Sequence, residues 1–213
     1  MSEPRELRGL VPAEILAVLA IAIMGPEVWP MPELLPVALP LVAVASVSRW
    51  LRRRSWGEVA RGGASHTAIG ATVGLVGLAI AVLIGTPVIE TVGQRGIEWS
   101  EHPIVRGNLT VAAIVMLQAA VVALATEMAL RGWIVERMLE LSPGPPVLPI
   151  FVGALAEAIL TPGDLAARLG AGMFGIGLGW LYVAGGRSVV APIWARLIFQ
   201  VGVVVLEALQ LVG

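Results

Sequence analysis

Two stretches of this chain, Gly74 to Ile84 and Val111 to Ala125, are apolar on all faces of a helix, Gln118 apart. A helix of a soluble protein needs only one apolar stripe, and one that is apolar all round must be covered by a large core or by lipid. A 213-residue chain has no room for several such cores, so lipid is the environment the pattern demands. Composition agrees: 57% of residues are hydrophobic, 14% are charged and the mean hydropathy is +0.88, against roughly 45–50% apolar and 25% charged in soluble domains. An outer-membrane barrel would alternate polar and apolar residues, and these runs do not.

Seven apolar segments can be drawn, roughly 10–29, 33–50, 66–88, 108–131, 146–162, 168–184 and 188–211. Turn chemistry separates them, at Gly25-Pro26, Gly62-Gly63, Gly93, Pro143-Gly144-Pro145-Pro146, Pro162-Gly163 and Gly185-Gly186. Backbone polar groups in lipid must be satisfied within the helix. The expected fold is therefore an all-α, polytopic transmembrane bundle of about seven spans, in one domain covering residues 1–213.

All fourteen cations are arginines, which makes orientation easy to read. Arg5, Arg8, Arg49, Arg52, Arg53, Arg54, Arg61, Arg131, Arg137 and Arg187 fall on one side of the seven-span scheme, and Arg95, Arg106 and Arg168 on the other. Under the positive-inside rule the N-terminus is expected in the cytoplasm and the C-terminus outside, in a bacterial-type inner membrane. Trp29, Trp50, Trp99 and Trp133 fall near span ends, where interfacial aromatics belong. The mixed-charge tail Met1–Gly9 does not read as the start of a cleaved signal, so the first span is expected to stay in the mature protein. The run Arg52–Arg54 reads first as a topology determinant, and contact with anionic lipid is compatible with it. A formal charge of −1 leaves no basic footprint for nucleic acid.

Ionisable groups inside spans are expensive and seek partners in the bundle interior. Glu127 and Arg131 stand four apart on one helical face, with Glu on the N-terminal side, the favourable order for an ion pair. Arg196 and Gln200 share a face of the last span, and Glu157 lies within the fifth. The glycines at 170, 172, 175, 177 and 179 read as sites of close helix approach.

Ala125 to Gly132, with its Glu127 and Arg131, resembles the Glu-Glu-x-x-x-Arg motif of the CPBP intramembrane metalloproteases, also called the CAAX prenyl protease or ABI family. Met173 to Tyr182 and Gly185 to Ile193 are similar to that family's Gly-rich segment and the lead-in to its last motif. The resemblance covers about residue 108 to the C-terminus and implies a CPBP-like core over 108–213. The family's paired glutamates, two histidines and an asparagine form a metal-binding or oxyanion site. Here the first glutamate position is Thr126, Leu155 stands at the histidine of Phe-x-x-x-His, and Arg196 and Gln200 replace the histidine and asparagine of the last motif. Only Glu127 and Arg131 remain, and no catalytic residue or metal ligand is expected.

The same conclusion follows without the family. Hydrolytic zinc sites take about three protein ligands, usually including imidazole. The chain has no cysteine and two histidines, His66 and His102, placed at opposite faces of the membrane by the expected topology. No cofactor is expected. Arg196 is expected to fill the vacated metal position as an internal ion pair with Glu127 or Glu157, and Glu127, Arg131, Glu157 and Arg196 form the expected set of intramembrane charges. Three functions stay open. The leading one is a pseudoenzyme: a scaffold or accessory subunit with a membrane-protein partner. The others are an active intramembrane peptidase built around Glu127, and a lipid- or small-molecule-binding protein using the vacated cavity.

Overall fold

The computed structural model describes residues 11–17, 20, 38–85, 87, 105–142, 144–161 and 165–211, and every regular element among them is helical. Residues 11–17 form a short helical stretch. Helix α1 is Ala38–Leu51, and a 3-10 turn follows at Trp56–Glu58. Helix α2, Ala64–Ile80, runs on through a π-helical turn at Ala81–Gly85. Helix α3, Leu109–Ala129, passes into a π-helical segment at Leu130–Val135 and then into α4, Glu136–Leu141. Helices α5, Val147–Leu160, α6, Leu165–Ala184, and α7, Val190–Ala208, complete the order.

Among the described residues three continuous helices are long and apolar enough to cross a membrane: Ala64–Gly85, Leu109–Leu141 and Val190–Ala208. Seven segments were expected. Helices α1 and α5 are apolar but only 14 residues each, about 21 Å at 1.5 Å per residue, short of a hydrocarbon core of roughly 30 Å. Helix α6 has 20 residues, but five glycines and Arg168 dilute its hydropathy. Most of the first expected segment, and the Gly93–Asn108 loop up to Ile104 with Arg95, Trp99 and His102, lie outside the described residues, as do Arg5, Arg8 and Trp29. The fourth segment also differs from expectation. It does not end at Arg131 but continues as one helix to Leu141, because the charges that suggested an exit find partners there.

The chain gathers into two compact units, each made of two stretches of sequence: Met1–Arg61 with Ala125–Pro192, and Gly62–Leu124 with Ile193–Gly213. In the first unit Val11 and Ile15 pack with Leu41 and Ala45 of α1, and with Ala129, Leu130, Trp133, Ile134 and Ala156. The four-residue spacing in both 11–17 and α1 gives each helix one inward stripe. Helices α5 and α6 pack along their lengths through small residues. A Cβ at Gly172 would lie 3.4 Å from Ala158 Cβ, and one at Gly179 only 2.8 Å from Ile150 Cγ2, whereas Gly170 and Gly177 have nothing within 4 Å. Helix α6 thus spends one set of glycines on contact with α5 and turns the other outward.

In the second unit α2 meets α7 by the same device. A Cβ on Gly74 would run into the Ala195 carbonyl, and one on Gly202 into Leu78. Between apolar helices in lipid, such close approach supplies dispersion contacts where the hydrophobic effect supplies none. Val105 and Ala112 bury against Val204, and the Gly107 N–H donates to the Ala208 carbonyl at 3.3 Å, joining the start of α3 to the end of α7.

Candidate functional site

The π-helical segment Leu130–Val135 is the hub of the first unit, and all six of its residues are buried. The Glu136 N–H reaches back five residues to the Arg131 carbonyl, so the helix carries one extra residue in this turn. The insertion turns Arg131, Trp133 and Glu136 toward three different neighbours.

Arg131 is fully buried and faces two carboxylates. Its Nη1 donates to Glu127 Oε1 at 3.2 Å, and its Nη2 donates to Glu157 Oε2 at 2.6 Å and to the Gly175 carbonyl at 2.8 Å. One guanidinium therefore ties α3, α5 and α6 together. Gly175 permits this: a Cβ there would stand 2.7 Å from Glu157 Oε2 and 3.2 Å from Arg131 Nη2. Burying charges costs several kcal/mol per ion unless partners replace the lost water, and the planar fork of arginine suits the task because it addresses several acceptors at once.

Helix α1 is bound to the hub by two side chains. Arg49 Nη1 donates to the Gly132 carbonyl at 3.0 Å and its Nη2 to the Ser55 carbonyl at 2.5 Å, while its guanidinium lies 4.7 Å from the centre of the Trp56 ring. Trp133 Nε1 donates to Ser48 Oγ at 3.1 Å. Gly132 is needed here, since a Cβ would press on Trp56, Val59 and Val189. Helix α6 is bound through Glu136, which accepts from the Tyr182 hydroxyl at 2.7 Å and pairs with Arg187 at 3.6 Å.

More ion pairs lie at the same end of the unit. Arg52 meets Glu14 at 2.7 Å, and Arg54 meets both Glu58 at 3.0 Å and Glu140 at 3.2 Å. Glu58 sits below the ordinary carboxylate range. Its partial burial works in the opposite direction, but the Arg54 hydrogen bond, the Ser55 N–H and the charges of Arg54 and Arg49 outweigh it. Arg49, Arg52 and Arg54, which the sequence presents as topology markers, are also fastenings of the fold.

The positions expected to be family-equivalent divide between the units. Thr126, Glu127, Arg131 and Leu155 belong to the first, as does Glu157 of the expected ion-pair set; Arg196 and Gln200 belong to the second, one turn apart on α7. Within the first unit Glu127, Arg131 and Glu157 come together, whereas Leu155 is 49% exposed, on the side of α5 turned away from Glu157. Arg196 is buried, as is Glu207 further along α7. Sequence reasoning missed Ser48, Glu136 and Tyr182 altogether and read Arg49 only for its charge. The sole available signal was that the chain's single tyrosine falls in an apolar helix, where a hydroxyl needs a partner.

Residues 107–202 match the family model described as type II CAAX prenyl endopeptidase Rce1-like. Over that stretch, a little under half of its length, the chain is similar to that family. The match contains α3, the π-helical hub, α5, α6 and the first part of α7, and so the whole Arg131 cluster. No curated protein and no solved structure matches the chain.

A divalent metal of the kind such a site would hold does not fit the residues present. Glu127 accepts from a guanidinium, Leu155 offers no donor atom, and among the described residues no three His, Asp or Glu converge on a point. What the cluster can do is hold helices: it is a charged clasp in an apolar medium.

Proposed function

We propose that this Rce1-like membrane protein is a non-catalytic relative of the CAAX prenyl endopeptidases, serving as a scaffold or accessory subunit for another membrane protein. The observation that supports this reading is the engagement of Arg131. The surviving motif residues, Glu127 and Arg131, bond to each other and to Glu157 and Gly175, and a carboxylate bonded to a guanidinium is a poor base for activating water. The substitutions point the same way, with Thr126, Leu155, Arg196 and Gln200 at the positions where the family keeps its reactive groups. In this reading the chain is a multi-pass protein of the inner membrane with seven spans, its N-terminus in the cytoplasm and its C-terminus outside. Its lipid-facing helices, including the outward face of α6 at Gly170 and Gly177, supply the contact surface.

The test pairs a peptidase assay with metal analysis and partner recovery. The purified protein is offered a prenylated CAAX-type peptide with and without added zinc, and turnover is expected to equal that of Glu127→Gln. Recovery from its native membrane in mild detergent is expected to bring a stoichiometric membrane-protein partner. Cleavage that Glu127→Gln abolishes, or zinc bound one to one, would overturn the proposal in favour of an active peptidase.

A further inference from the structure

The charged end of the first unit holds more cations than its own carboxylates occupy. Among the described residues, around the ends of α1 and α6 stand the arginines 49, 52, 53, 54, 61, 137 and 187 against the glutamates 14, 58, 136 and 140, an excess of three positive charges. Five of the seven are fastened to carboxylates as ion pairs, including Arg137 to Glu140. Arg53 and Arg61 are not: both are exposed, and among the described residues neither meets a carboxylate.

Arg53 is held in a conformation that does not suit it. Helix α1 ends with the Arg53 N–H bonded to the Trp50 carbonyl and the Arg54 N–H to the Arg49 carbonyl. This pair of bonds puts the residue at position 53 in left-handed backbone, where glycine is usual. Here φ is +56° and the residue is arginine. A side chain that sits on left-handed backbone and, among the described residues, pairs with no carboxylate is positioned to meet something outside the protein. Next to Arg53, Trp50 is 75% exposed and Leu51 67%, an indole and an aliphatic chain at the end of an apolar helix, as at a headgroup layer. Position along α3 agrees. The continuous helix Leu109–Leu141 has 33 residues and is about 50 Å long, more than a hydrocarbon core of roughly 30 Å can cover, and its charged residues Glu136, Arg137 and Glu140 all lie in its last six positions.

We propose that this end of the first unit is a docking surface for the anionic phospholipid headgroups of the adjoining leaflet, with Arg53 and Arg61 as the contact cations and Trp50 as the interfacial anchor. The engaged arginines keep the loop in shape while these two reach the phosphates. The inference requires a membrane-embedded chain but is indifferent to whether the Arg131 cluster is catalytic, so a peptidase result leaves it standing.

The experiment titrates the full-length protein in mild detergent with short-chain phosphatidylglycerol, short-chain phosphatidylcholine and inorganic phosphate. It also compares thermal midpoints in nanodiscs of phosphatidylcholine alone with those in an equimolar mixture with phosphatidylglycerol. Phosphatidylglycerol is expected to bind in preference and to weaken as salt rises. Arg53→Gly combined with Arg61→Ala should lower its affinity by about 30-fold at low salt, from the usual contribution of each interfacial cation. Arg168→Ala, at the opposite end of α6, should leave binding unchanged. Arg53→Gly alone relieves the backbone and should raise the thermal midpoint in phosphatidylcholine while weakening phosphatidylglycerol binding, a combination that a purely structural arginine would not give. Wild-type binding by the double variant, an equal loss in Arg168→Ala, or equally tight binding of inorganic phosphate would overturn the proposal.

Discussion

Replacing Arg131 by methionine tests whether the buried cluster is a clasp. The change keeps a long flexible chain in the site but removes the cation that separates Glu127 from Glu157, both of which are buried. Three hydrogen bonds disappear together, at 3.2, 2.6 and 2.8 Å, and two buried carboxylates lose the guanidinium they share. Removing one partner of a buried ion pair costs about 3–5 kcal/mol. At about 2–4 °C per kcal/mol for a chain of this size, the apparent Tm in detergent should fall by roughly 6–20 °C, followed through the intrinsic fluorescence of the seven tryptophans. The triple variant Arg131→Met/Glu127→Gln/Glu157→Gln carries the diagnostic weight. It deletes every charge at once, and since whole buried ionic groups can often be exchanged for neutral side chains without net loss, it should recover at least half of the decrease. A fall of less than about 2 °C for Arg131→Met, on the same scale, would mean that the guanidinium does not hold the three helices. A triple variant no better than the single one would refute the electrostatic account and leave shape alone as the cause.

Other outcomes follow from the same geometry. Gly175→Ala should destabilise by about 1–3 kcal/mol through overpacking, because its Cβ meets the Ala154 backbone at 3.1 Å as well as the Glu157 carboxylate. Gly177→Ala, with nothing within 4 Å, should be neutral or raise the melting point slightly, so the two together separate close packing from helix propensity. Tyr182→Phe should cost about 1–3 kcal/mol, since it strips Glu136 of a hydrogen bond to a charged acceptor. Glu58 titrates below its unfolded value, so its contribution is present in full above the unfolded value and disappears as pH falls through the folded one. Below about pH 4.5 the wild type should therefore lose stability more steeply than Glu58→Gln, a difference that vanishes near neutrality once the constant offset between the two proteins is subtracted.

Helices are easy to read in this chain because lipid enforces one rule on every segment. Apolar runs at 66–88, 108–131, 146–162, 168–184 and 188–211 each correspond to a helix, with ends displaced by a few residues except at 131, where the helix runs on to Leu141. The π-helical turn at Leu130–Val135 has no such signal. Its residues Leu-Arg-Gly-Trp-Ile-Val suit an ordinary helix as well, and the extra residue is stabilised only by what surrounds it, namely Arg49 on the Gly132 carbonyl and Glu136 turned toward Tyr182. The Glu127/Arg131 pair was legible because both members lie one turn apart on a single helix. The third member, Glu157, is separated from Arg131 by 26 residues, and its approach depends on Gly153 bringing α5 close to Val135 of the π-helical segment and on Gly175 bringing α6 close to α5. Spacing within a helix shows which residues share a face; it does not show which face a distant helix chooses. Arg49 was misjudged for a related reason, since its charge at a span end had one sufficient explanation before its partners 6 and 83 residues away were seen.

The pattern of what survives and what is replaced in the motifs has a physical explanation. A residue that acts only on a substrate or metal can change without disturbing the fold, and in the proposed reading Thr126, Leu155, Arg196 and Gln200 stand where such residues are found in the family. Arg131 is different, because its loss would take the shared guanidinium from buried Glu157 and Glu127 and the donor from the Gly175 carbonyl. Glu127 is bound to the same account from the other side, since Arg131 facing only Glu157 would lose one of its two anionic partners. Each residue of the cluster thus makes the others costly to remove, and under the proposed function the ion pair outlasts the chemistry beside it. Retention of Glu127 and Arg131 is consequently weak evidence for catalysis in this chain, and the decisive comparison is between Glu127→Gln alone and Glu127→Gln in the background of Arg131→Met. If the clasp is the reason for retention, the first should destabilise and the second should partly restore what Arg131→Met removes; additive losses would show that Glu127 is kept for a task outside the cluster.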